Sequence, residues 1–84
     1  MHDRQLKDIV PFVVSVETGS FAAAAERLHL TPSAVSKSVT RLEARLGSIL
    51  LERTTRSLKL TDAGSAYYQT CLRIMEELAE AEAI

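Results

Sequence analysis

The sequence has no tryptophan, one cysteine, two prolines, three glycines, and only two tyrosines and two phenylalanines. A lone cysteine, Cys71, excludes an internal disulfide. With His2 and His29 far apart, no Cys/His cluster is spaced to hold a metal, and no cofactor is expected. Cys71 is expected to serve as a small apolar residue in a helix. So few aromatics leave an aliphatic, alanine-rich core. No apolar run approaches the ~18 residues of a membrane span, and no signal peptide is visible, which fits a cytoplasmic protein with no membrane partner. No nucleophile is spaced beside a base and both histidines are isolated, so the chain is not expected to be an enzyme. Eighty-four residues make one small domain that buries roughly 60–65% of its unfolded surface.

Charge of one sign is also scarce overall: ten Lys and Arg against eleven Asp and Glu give a net −1. The distribution is uneven. Residues 26–60 carry Arg27, Lys37, Arg41, Arg45, Arg53, Arg56 and Lys59 against Glu26, Glu43 and Glu52, a net +4. Residues 61–84 carry Arg73 against Asp62, Glu76, Glu77, Glu80 and Glu82, a net −4. The middle of the chain is a basic module and the tail is acidic, a local footprint that the bulk charge hides.

That basic module contains the stretch on which the rest depends, residues 20–46. Ser20 to Leu28 reads as a short helix with Phe21, Ala24, Ala25 and Leu28 at helical spacing, and its alanines permit close approach of a second helix. Only His29 and Leu30 then intervene before a helix over 32–46, N-capped by Thr31 with Pro32 at its first position. The short connection is that of a helix-turn-helix. Val35, Val39, Leu42 and Leu46 make a narrow buried stripe. The opposite face carries Ser33, Lys37, Thr40 and Ala44, flanked by Ser36 and Arg41, with Glu43 to the side. Small donors and cations without acids suit phosphates and base edges. Ser20 opens its helix either as a plain N-cap or as a phosphate-binding N-terminus.

Around this lie three further elements. Asp3 to Thr18 is expected as a first helix with Leu6, Ile9, Val10, Val13 and Val16 inward, ended by Gly19; Pro11 should kink it or set its start near Asp8. Gly47 closes the third helix. Leu50 and Leu51 should pair with the alternating Leu58 and Leu60 as a hairpin, with Arg53, Thr54 and Arg56 at its tip, about 53–57. Thr61 caps a long helix to Ile84. Its apolar side, with Tyr67, Cys71, Ile74, Met75 and Leu78, is wider than one packing contact needs, so a homodimer through this helix is expected. The fold class is mainly α: a winged helix-turn-helix (residues 1–61) followed by a linker and dimerisation helix (62–84).

The run GSFAAAAERLHLTPSAVSKSVTRLEARLG, followed by LLERTTRSLKLTDAG, resembles the N-terminal DNA-binding domain of LysR-type transcriptional regulators. The resemblance covers about Leu6 to Gly64. It implies a sequence-specific domain that binds double-stranded DNA as a dimer. Helix 32–46 would enter the major groove, with Thr31, Pro32, Ser33, Ser36 and Lys37 in the contact region and Arg41 on phosphate. Arg53, Thr54 and Arg56 would lie near the minor groove. It further implies a C-terminal domain for a small-molecule effector that is missing here, the chain being an excised fragment. Three positions depart from the pattern: Ser38 where glutamine is frequent, Leu51 where phenylalanine is common, and Pro11 inside the first helix. A protein-docking module on the same fold is the competing class, disfavoured by the acid-free basic face.

Overall fold

The computed structural model describes residues 3–54 and 57–83, with side chains from residue 7 onward. The elements in order are α1 (Asp3–Thr18), α2 (Phe21–Leu28), α3 (Pro32–Leu46), β1 (Leu51–Arg53), β2 (Leu58–Leu60) and α4 (Asp62–Glu82). Local chemistry explains most of these bounds. Ser20, Thr31 and Thr61 each adopt extended backbone, and their hydroxyls accept from Ala23 N (3.0 Å), Ala34 N (3.1 Å) and Gly64 N (2.9 Å). Each cap satisfies one of the amides a helix start leaves without an internal partner. Pro32 occupies the first turn of α3, where its missing N–H costs nothing. Gly47 closes α3 at φ 69°, a left-handed conformation that favours glycine.

The turn between α2 and α3 reaches the same conformation without glycine. His29 sits at φ 58°, the positive-φ non-glycine residue among those described. Its N–H reaches Glu26 O (3.4 Å), and Leu30 N reaches Ala25 O (2.9 Å). This paired closure ends α2 and turns the chain within three residues.

Phe12 lies at the centre of the main core, packed with Ile9, Val13, Val39, Leu42, Leu50, Leu51 and Cys71. Its ring faces Tyr67 at 5.8 Å and Tyr68 at 6.3 Å between centroids. A second cluster joins Val14, Ala24, Ala25 and Val35 where α2 crosses α1 and α3. The alanines act as the sequence suggested, bringing the three helices together. Strands β1 and β2 pair antiparallel with Leu51 opposite Leu60, Glu52 opposite Lys59 and Arg53 opposite Leu58.

Several expectations change. Val10 of α1 is exposed, while Val14, outside the expected face, is buried; Leu6 falls outside the described side chains. Pro11 does not set the start of α1 near Asp8, since the helix runs through it from Asp3. Pro11 removes the amide that would meet the Lys7 carbonyl, and its own carbonyl accepts from Ser15 Oγ at 2.7 Å as well. Leu46 is exposed at the end of α3, and Ser38 is buried in its place within the inward face. Leu50 lies just before β1 and is buried.

Candidate nucleic-acid interface

The outward face of α3 begins at its N-terminus. Thr31, Pro32, Ser33, Lys37, Thr40, Arg41 and Ala44 are exposed and Ser36 is half-buried. α1 and α2 pack on the other side of this helix, where Val35, Ser38, Val39 and Leu42 are buried. Thr31 spends its hydroxyl oxygen on the cap. Ser33 and Lys37 have no hydrogen-bond or ion-pair partner among the described residues, which leaves a donor and a cation directed into solvent one turn apart. Arg41 is tethered more loosely, with Nη2 3.7 Å from Asp8 Oδ1, and its side chain remains mostly in solvent. Asp8 itself is buried on α1, where it also accepts from Ser38 Oγ (3.3 Å) and lies 3.9 Å from Arg45 Nη2. Ser38 therefore belongs to the support of this helix and not to its outer face.

Glu43 does not point sideways into solvent. It is 7% exposed, and its Oε2 accepts from the amides of Leu50 (2.8 Å) and Leu51 (3.2 Å), where the chain enters β1. Its Oε1 pairs with Arg53 Nη2 at 3.2 Å. Arg53 therefore does not extend from the hairpin tip. The same guanidinium donates to Thr40 Oγ1 (3.0 Å), reaches Ser36 Oγ at 3.5 Å, and lies over the Phe21 ring, 5.1 Å from its centroid. Strand periodicity carries the signal for this placement. Leu51 faces the core, so Arg53 two residues on shares that face, opposite Leu58. Helical periodicity carries the signal for Glu43, which follows Val35 and Val39 at i+8 and i+4. Glu43 is thus a charged side chain in an inward position, whereas Arg53 stays exposed and folds back along α3.

At the hairpin tip Thr54 N donates to Ser57 O (3.0 Å), Thr54 Oγ1 donates to Ser57 O (2.9 Å), and Ser57 N donates to Thr54 Oγ1 (2.9 Å). The Thr54 hydroxyl is thus committed to closing the turn. Arg56, expected at this tip, lies outside the described residues. Ser20 is the N-cap of α2, with its oxygen on Ala23 N.

The side chains expected at a dimer surface divide into two groups. Cys71 is 1% exposed and belongs to the core of its own protomer, so it cannot line an interface with another chain. Tyr67 and Met75 pack against the same core and are half-buried. Burial pushes the Cys71 thiol above its ordinary pKa. Burial also raises the Tyr67 phenol, with the neighbouring thiol adding to the effect. Ile74 and Leu78, by contrast, are 40% and 51% exposed, and with Val10 they line an apolar depression between α1 and α4. The exposed Glu76, Glu77 and Glu80 lie elsewhere on α4. Among the described residues no helix is long and apolar enough to cross a membrane.

A helix-turn-helix held by a third helix, with a two-stranded hairpin directly after it, defines a winged helix-turn-helix protein. The model of the bacterial regulatory helix-turn-helix proteins of the lysR family matches residues 6–65, and the chain belongs to that family. It is 53% identical over 81 residues to an HTH-type transcriptional regulator of Xanthomonas campestris pv. campestris (strain 8004), covering 96% of this chain and 23% of that protein. It is 50% identical over 76 residues to the HTH-type transcriptional regulator CrgA of Neisseria meningitidis serogroup B (strain ATCC BAA-335 / MC58), covering 90% and 25% respectively. The chain thus spans about a quarter of the length of the curated relatives it matches. Among solved structures, the CbnR DNA-binding domain in complex with DNA matches with a TM-score of 0.84 at 37% identity, over 90% of this chain and 87% of that one. The BenM DNA-binding domain on benA site 1 DNA matches with a TM-score of 0.87 at 32% identity, over 93% and 88%.

Proposed function

We propose that this chain is the sequence-specific DNA-binding part of a LysR-type transcription regulator, acting in the cytoplasm by binding and not by catalysis. The observation that carries the reading is the outer face of α3: Ser33, Ser36, Lys37 and Arg41 stand on a helix whose buried side is fixed by α1 and α2. Glu43, the acid of this helix, is turned inward and paired. The same fold in CbnR and BenM is solved on DNA. α3 enters the major groove with its N-terminal half, and the hairpin, with Arg56, approaches the neighbouring minor groove. Residues 1–61 form the reading module and 62–84 the linker that brings two copies together. No cofactor takes part in this portion. The small-molecule effector of the whole regulator binds in a domain beyond it.

Lys37 tests the docking face. Lys37→Ala weakens binding to all duplexes and lowers the slope of log affinity against log salt by about 1, because one phosphate contact is lost. Ser33→Ala and Ser36→Ala change sequence preference instead. Fluorescence anisotropy over a salt series measures both. An unchanged affinity and slope for Lys37→Ala would place the DNA on another face.

A further inference from the structure

We infer that Arg53 is a positioning residue, one that fixes the angle between the hairpin and the recognition helix and makes no contact with nucleic acid itself. The inference rests on the DNA-binding reading above and refines it.

Three observations converge. First, the charge of Arg53 is already met: Glu43 Oε1 lies 3.2 Å away, and Glu43 is almost wholly buried. A buried carboxylate needs a partner of opposite charge, so moving this guanidinium to a phosphate would strand it. Second, Nη2 of Arg53 is committed to α3, donating to Thr40 Oγ1 as well as to Glu43, and Nη1 reaches Ser36 Oγ of the same helix at 3.5 Å. Thr40 Oγ1 also donates to Ser36 O at 3.0 Å, so its hydrogen and one lone pair are both used. Third, the guanidinium carbon lies over the Phe21 ring of α2, 5.1 Å from its centroid, a cation–π contact that ties Arg53 to the second helix as well. Arg53 stands on β1, and its contacts join that strand to both helices of the helix-turn-helix. The Glu43 carboxylate makes the reciprocal tie, from α3 to the amides that open β1. Hairpin and recognition helix are locked together by one ion pair whose two halves come from the two elements.

A residue of this kind governs which DNA is accepted, through the spacing between major-groove and minor-groove contacts. It contributes nothing to counterion release. That distinction is measurable with a random-sequence duplex pool and a duplex selected from it by the wild-type chain. Arg53→Gln loses about tenfold affinity for the selected duplex, while its salt slope stays within about 0.3 of wild type. Glu43→Gln, whose amide oxygen still accepts from Leu50 and Leu51, loses a similar factor. The double variant loses no more than the worse single, since both act through one link. If Arg53→Gln does not fold by circular dichroism, Arg53→Lys carries the test. It keeps the charge but not the fork, and it still loses discrimination between selected and random duplexes.

A slope reduced by about 1 in Arg53→Gln, additive losses, or an Arg53→Lys chain that discriminates like wild type each overturns the proposal alone. A wild-type chain that binds neither duplex at low salt overturns the DNA-binding reading and the proposal with it.

Discussion

Cys71 shows how far one residue's surroundings can differ from what its place on a helix suggests. It lies in the core against Phe12 and beside Tyr67, and burial holds its thiol protonated beyond the ordinary range. Alkylation by iodoacetamide at about pH 8 should therefore be about 100-fold slower in the folded chain than in urea, because it waits for opening of the structure. Comparable rates in both states would show that the thiol is accessible. The linkage has a definite sign. A thiol whose folded pKa lies above its unfolded one favours the folded state fully below the unfolded pKa, about 8.5. That stability is lost as pH rises through the folded value. The raised Tyr67 phenol acts in the same direction at higher pH. The urea midpoint should fall as pH rises past the unfolded thiol pKa of about 8.5, and Cys71→Ala should remove the earlier part of the fall.

Elements were legible wherever their signals are local. The bounds of α1, α2 and α3 follow from Ser20, Thr31, Pro32, Gly19 and Gly47, each of which acts within one turn of itself. β2 was legible from the alternation of Leu58 and Leu60, and α4 from its Thr61 cap. What stayed hidden depends on partners distant in sequence. The inward turn of Glu43 is explained by two amides seven and eight residues on, and the folding of Arg53 back onto α3 by a carboxylate ten residues back. Leu46 was misplaced because helical spacing continues to the end of α3, whereas the packing surface beneath it does not. The α2–α3 turn offers an element-scale test. His29 holds a left-handed backbone against the repulsion of its own Cβ. His29→Gly should raise unfolding free energy by about 0.5–1 kcal/mol, read by urea denaturation. A loss of stability would mean that the imidazole makes a contact worth more than the strain it relieves.

At the scale of the whole molecule, the long dimension is 42 Å against 27 and 22 Å for the other two. Helix α4, roughly 31 Å at 1.5 Å per residue, outruns the core it packs on. The width of its apolar side was visible in the sequence. Which half of that side is internal was not, because Cys71 and Ile74 stand three residues apart on the same side of the helix and only the position of the Phe12 core separates them. On α4 and the facing part of α1, Ile74, Leu78 and Val10 are the large apolar side chains left exposed for a second copy. Each large one kept in water forgoes roughly 1.5–3 kcal/mol. Sedimentation at micromolar concentration should find a dimer, and Leu78→Asp should return it to monomer. A wild-type monomer would remove α4 from assembly. A dimer predicts roughly palindromic sites whose half-sites lie about 34–36 Å apart, or a multiple of that.

Leu50 is the fulcrum of this arrangement. Its amide is held by Glu43 at the far end of α3, and its carbonyl accepts from Thr61 N at 3.0 Å where α4 begins. Gly64 comes so close that any side chain there would overlap that carbonyl. α3 and the start of α4 are thus both tied to this one residue, with no room for a side chain at Gly64. α4 then behaves as the arm of a lever. Each degree of tilt about Leu50 moves its tip by about half an ångström over its roughly 31 Å length. A pair of copies clasped at those tips would translate small angular adjustments into the distance between their recognition helices.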